Sequence, residues 1–62
     1  MTEVILGCGH AWLISPDLAA SLLLCAECCT AQPVLARFEG ATSGRLARVL
    51  GGQVIIETIG PR

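Results

Sequence analysis

Three features of the chain predict a small, mostly β domain held together by a bound metal, with one short helix and a C-terminal β-hairpin. The first is length: 62 residues make a single domain, 1–62. A chain this short buries only about 60% of the surface its unfolded form exposes, so it needs a staple in the form of disulfides, a metal or a partner. The second is the placement of Cys8, His10, Cys25, Cys28 and Cys29, all in the first half of the chain. The third is punctuation: short apolar and β-branched runs are parted by glycines and by Ser-Pro-Asp, the pattern of strands and tight turns.

Val4-Ile5-Leu6 reads as the first strand, halted by the glycines on either side of Cys8. Ala11-Trp12-Leu13-Ile14 reads as the second, and the two form a hairpin across Gly7-Cys8-Gly9-His10. Ser15-Pro16-Asp17 then carries helix-start signals: an N-cap serine, proline at the first helical position and an acid in the first turn. Leu18 and Leu22 share one face of that helix, with Ala19 and Leu23 adjoining. The helix is short because Cys25 to Cys29 needs a turn of its own. Beyond Pro33 the segment Val34 to Glu39 alternates, with Val34, Ala36 and Phe38 inward and Arg37 and Glu39 outward. That is a half-buried strand.

Residues 40–44 are a loop. Arg45 to Leu50 and Gln53 to Ile59, parted by Gly51-Gly52, match a two-residue hairpin. In the alternative, Ser43 caps a short helix that buries Leu46, Val49 and Leu50 and ends at Gly51. The hairpin is preferred, and Val54-Ile55-Ile56 is a strand in both readings. The domain thus divides into a cysteine-bearing part, 4–39, and a C-terminal hairpin, 45–59.

The chemistry lies in Cys8-Gly9-His10, then fourteen residues, then Cys25-Ala26-Glu27-Cys28. Two ligand pairs, each in a tight turn, close a tetrahedral site, and zinc takes four such ligands, at about 2.3 Å for sulfur and 2.0–2.1 Å for nitrogen. The glycines beside Cys8 let the backbone bend sharply. Cys29 could stand in for Cys28, although a two-residue spacing suits a knuckle better. His10 could lie free with all four cysteines on the metal, but its place two residues from Cys8 in a glycine-flanked turn favours ligation. Disulfides need an oxidising compartment that nothing here signals, and they leave His10 unexplained. A redox Cys-x-x-Cys needs a βαβ context that is missing. A four-thiolate iron site of rubredoxin type stays open through Cys29.

Residues 4–38 resemble the zinc-ribbon and zinc-knuckle class of small domains, on the strength of Cys8, His10, Cys25 and Cys28. The resemblance implies two ribbon-like knuckles around one structural Zn2+. Cys-x-His in place of a second Cys-x-x-Cys departs from the common pattern, as does Cys29, where many knuckles have glycine. The last two dozen residues match no family, and the class alone names no function.

A catalytic zinc keeps an open coordination position with a base beside it. Here four protein ligands close the site, and Asp17 and Glu27 are the nearby carboxylates, so the chain reads as no enzyme. A net charge of −1 and a pI near 5.6 give no general attraction to nucleic acid or to anionic lipid. No Lys or Arg lies between Glu3 and Arg37, and one Trp with one Phe offers little stacking surface. A nucleic-acid-associated zinc ribbon in transcription or its regulation is therefore the second choice. The first is a protein-interaction module, docked on a protein partner or forming a homo-oligomer. Its apolar content of 53% exceeds the usual 45–50%, and Leu22-Leu23-Leu24 cannot all point inward. Trp12 either covers the knuckles or anchors an interface, while Arg45 and Arg48 read as solvated charges.

Every basic residue is an arginine, and Lys, Asn and Tyr are absent. That bias follows from GC-rich coding and suggests a high-GC bacterium or one of its phages, hence a virion accessory protein or a modulator of a host protein. The start Met1-Thr2-Glu3 has no basic stretch ahead of an apolar run and does not read as a signal peptide. Val4 to Ala26 is apolar on average, yet Gly7, Gly9, His10, Pro16 and Asp17 interrupt it, so no membrane span is expected. The expected location is the cytoplasm, or the virion of a phage.

Overall fold

The computed structural model describes residues 1–60. Six strands follow one another: β1 (Thr2–Leu6), β2 (Ala11–Ile14), β3 (Leu22–Cys25), β4 (Thr30–Phe38), β5 (Gly44–Leu50) and β6 (Gln53–Ile59). The first four form a curled antiparallel sheet in the order β2-β1-β4-β3, and β5 and β6 form a separate hairpin. Among the described residues there is no helix long and apolar enough to cross a membrane.

The first hairpin forms as expected, with Thr2 opposite Ile14 and Ile5 opposite Ala11. Its turn is tight: the Gly9 N–H donates to the Leu6 carbonyl at 2.8 Å, and the Leu6 N–H donates to that of His10 at 2.9 Å. Gly9 has φ +88°, where a side chain is disfavoured. Gly7 is needed for a different reason. A Cβ there would lie 2.9 Å from the Pro33 ring, where β4 crosses the knuckle.

The helix expected after Ser15-Pro16-Asp17 does not form. Ser15 closes a single turn, its carbonyl accepting from the Leu18 N–H at 3.0 Å. The chain then extends, and Leu22 to Cys25 pairs with Pro33 to Thr30. Leu23 and Cys25 face inward while Leu22 and Leu24 stay exposed, a period of two rather than of three to four. A helix of so few residues is marginal in water, whereas pairing with β4 satisfies the backbone and carries Cys25 into the second turn. The helix signals at its start were outweighed by this tertiary pairing.

β4 starts earlier than expected, at Thr30, because it serves both neighbours: β3 along its first half and β1 along its second. Ile5 lies opposite Ala36 but Leu6 opposite Val34, so Leu35 is an extra residue, bulged out and exposed. A bulge resets the alternation of the strand. Val34 shares the inner face with Leu6, but beyond the bulge Arg37 pairs with the buried Val4 and Phe38 with Glu3. Phe38, expected inward, is consequently 54% exposed. The buried core is Val4, Leu6, Trp12 and Cys25, with Cys8, Ile14, Leu23, Ala26 and Val34 packed around it.

The C-terminal segment adopts the hairpin, not the helix. Gly51 and Gly52 have φ +57° and +80°, the two left-handed residues of a type I′ turn, which matches the twist of the flanking strands. Leu50 faces Gln53 across the turn, and the register runs unbroken to Gly44 opposite Ile59. β5 packs on β2; a Cβ at Gly44 would lie 2.9 Å from the buried Leu13 side chain. Among the described strands β6 pairs only with β5.

Candidate metal centre

The β1–β2 turn supplies Cys8 and His10, and the β3–β4 turn supplies Cys25 and Cys28. Because β1 and β3 flank β4 on opposite sides, the curl of the sheet brings the two turns together at one end. The second turn is closed by the Cys29 N–H, which donates to the Cys25 carbonyl at 2.7 Å. Cys29 itself has φ +55°, the conformation for which glycine is normally chosen.

The four donor atoms lie within 4.8 Å of one another and form a Cys3His group that can hold a metal ion. His10 Nδ1 is 3.3 Å from Cys8 Sγ and 3.4 Å from both Cys25 Sγ and Cys28 Sγ. An imidazole nitrogen has one in-plane proton or lone pair, so three nearly equidistant sulfurs cannot all be its hydrogen-bond partners. A shared centre accounts for them: ligands at zinc-like bond lengths around a tetrahedron would have N···S separations of about 3.6 Å. Nδ1 is the nitrogen turned toward the sulfurs. Cys29 lies apart from the group, its Sγ 3.7 Å from the Ala26 carbonyl oxygen, and all four thiols are free of disulfides.

The electrostatics fit a cation as well. Burial pushes the Cys25 thiol up, but the Cys28 backbone N–H, the Trp12 indole, the Cys8 side chain and the Glu27 backbone N–H outweigh it and bring the thiol down to about 6. Cys28 goes the other way, raised to about 11 by its hydrogen bond to Cys8, by burial and by the Cys25 sulfur. Sulfurs displaced in opposite directions belong to a cluster that cannot carry three thiolates unaided. A divalent ion would relieve that repulsion by displacing the remaining thiol protons. The buried Trp12 Nε1–H has no hydrogen-bond partner of normal geometry. It faces the sulfur of Cys25, and a metal-bound thiolate is an acceptor suited to it.

Around this cluster lies a contact that the sequence reading missed. The Arg45 guanidinium stacks over Trp12, 4.7 Å from the ring centroid, and forms an ion pair with Glu27 of the second knuckle. Its hydrogen bond and charge hold the Glu27 carboxyl below the usual range. Arg45, read from sequence as a solvated charge, thus ties β5 to the Cys/His end of the sheet. One signal for it existed: Glu27 is the only charged residue between Asp17 and Arg37, so any ion-pair partner for it had to be an arginine from Arg37 onward. Comparison with family models, with curated proteins and with solved structures finds no match to this chain.

Proposed function

We propose that the chain is a structural zinc protein, ligated by Cys8, His10, Cys25 and Cys28, whose role is to present its C-terminal hairpin to a protein partner. The observation that carries this reading is the division of the molecule into a closed metal-binding end and an apolar hairpin left outside. Three thiolates and an imidazole in tetrahedral array suit Zn2+. An iron site of rubredoxin type needs a fourth thiolate, and Cys29 points elsewhere. Four protein ligands leave no coordination position for a substrate, which supports a structural role over catalysis. Thiolate ligands also suit a reducing compartment such as the cytoplasm.

The nucleic-acid alternative draws less support. Each described arginine lies beside a glutamate: Arg37 with Glu39, Arg45 with Glu27, Arg48 with Glu57. Phosphate binding would have to break those pairs. On the hairpin, by contrast, Val49, Leu50, Val54, Ile55 and Ile56 are all exposed.

Two measurements test the reading. Elemental analysis should find one zinc per chain, with loss of the β-sheet circular dichroism on chelation. Val49→Asp with Val54→Asp should abolish partner binding in the zinc-loaded protein without lowering its zinc content. A folded protein free of metal would overturn the zinc assignment. Salt-sensitive binding to mixed-sequence oligonucleotides, with no binding to protein, would overturn the interaction role.

A further inference from the structure

We infer that the partner of the hairpin is a second copy of this chain, joined edge to edge through β6 into a four-stranded antiparallel sheet β5-β6-β6-β5. This rests on the reading of the hairpin as an interaction surface and names its occupant. The backbone is the first argument. The two-residue turn makes Leu50 and Gln53 the closing hydrogen-bonded pair, and pairing then alternates along the ladder. Ile55 and Glu57 direct their N–H and C=O groups to β5, so those of Val54, Ile56 and Thr58 point to the outer edge. No strand among the described residues pairs with that edge. Edge strands are normally blunted by lysine, proline, a bulge or a covering segment. β6 contains no lysine or proline, and its register with β5 has no bulge.

The second argument is self-complementarity. Gln53-Val54-Ile55-Ile56-Glu57 reads polar, apolar, apolar, apolar, polar in both directions. A two-fold axis at Ile55 sets Ile55 against its own copy, Val54 against Ile56, and Gln53 against Glu57. Apolar meets apolar, and a side-chain amide meets a carboxylate. Shifting the axis to Ile56 would set Ile55 against Glu57 and Gln53 against Ile59, which buries a charge beside an isoleucine. The strand carries one charged residue, so the preferred register brings no like charges together. A two-fold interface requires this kind of self-matching, and a foreign strand would not.

The third argument is exposure. Val54, Ile55 and Ile56 of β6 are 58%, 37% and 40% exposed, and they stand along the edge that a second β6 would cover. Pairing one strand edge makes a small interface, of the class that associates weakly, so a dissociation constant on the order of micromolar is expected.

Sedimentation of the zinc-loaded chain from about 1 to 200 µM tests the assignment, a range that brackets the expected constant. The mass should rise from the 6.5 kDa of one chain to that of two. Gln53→Lys, which sets a cation opposite Glu57 at both ends of the paired strands, should tighten the dimer about two- to tenfold at low salt. Gln53→Glu should weaken it by a similar factor, and high salt should narrow both effects. Ile56→Pro removes an outward N–H and spares the β5 ladder, so it should give a monomer with full zinc content. A chain still monomeric at the highest concentration overturns the second-copy assignment. So does a dimer indifferent to the charge at residue 53 and lost in Leu24→Lys. If such a monomer keeps its zinc and binds another protein through Val49 and Val54, the interaction role stands and only its occupant was wrong.

Discussion

Replacing Arg45 by methionine tests whether the hairpin is held to the Cys/His end as the structure describes. Methionine keeps most of the aliphatic stem and removes the guanidinium, so the change isolates charge and stacking from bulk packing. A cation over an indole ring at a partly exposed site contributes about 0.5–1 kcal/mol, and the 4.7 Å separation is well within range. The ion pair with Glu27 adds less than its close approach suggests, because both side chains are 38% exposed and water screens them. About 1 kcal/mol in a domain this small corresponds to a fall of roughly 4–8 °C in Tm. The assay is thermal unfolding followed by circular dichroism at a fixed free zinc concentration, since metal binding itself shifts Tm by mass action. The double variant with Glu27→Gln should lose less than the two single variants summed, because each removes the same contact. Strict additivity, or a Tm within about 1 °C of the parent protein, would refute the clamp.

Other changes probe the centre and its surroundings. Cys8→Ser, Cys25→Ser and Cys28→Ser should each abolish stoichiometric zinc and the ordered fold, because structural zinc supplies roughly 10–16 kcal/mol in small peptides; Cys29→Ser should retain both. Cys29→Gly should keep the zinc and raise Tm, since relief of a left-handed non-glycine residue is worth about 1–2 kcal/mol; an unchanged or lower Tm would contradict the strained turn. The Thr2 hydroxyl donates to Glu39 Oε2 at 2.7 Å and, with Arg37 and the N-terminus, holds that carboxyl below its ordinary value of 4.5. With its folded pKa lowered, Glu39 contributes stability above the ordinary value and loses it as pH falls through the folded one. An NMR titration of Glu39 should therefore shift upward in Thr2→Val, and an unmoved midpoint would show that the hydroxyl contributes nothing.

Local chemistry made much of this molecule readable. The glycines around Cys8 and the pair Gly51-Gly52 permit only a few backbone paths, and both hairpins form where those residues allow. The clustering of Cys8, His10, Cys25 and Cys28 was readable for a similar reason, because tight turns with one or two residues between the members of each pair already bring their side chains together. Three things depended on partners distant in sequence. Leu22 to Cys25 becomes a strand because β4 is there to pair with it, and nothing in Leu22-Leu23-Leu24 itself excludes a helix. The bulge at Leu35 arises where β4 must satisfy β1 and β3 at once, and it turns Phe38 away from the core. Arg45 meets Trp12 and Glu27 only after the second hairpin has docked, so its role could not be seen in its own neighbourhood.

The two ends of the chain solve different parts of one problem. A core of Val4, Leu6, Trp12 and Cys25 is too small to hold four strands against the entropy of ordering them. The Cys/His cluster sits where a metal would add most, between two turns whose hairpins are linked through the β1–β4 pairing. The hairpin is outside that reinforced region and reaches it mainly through β5, at Leu13 and at Arg45. Its outer strand makes no contribution to the core, yet it carries the most apolar run in the second half of the chain. If stability were the only requirement, a polar residue at Val54, which is 58% exposed, would cost little and would protect the edge from association. Apolar residues there are consistent with a strand completed by another chain, and a metal held by the Cys/His cluster would make a scaffold that need not spend those residues on its own folding.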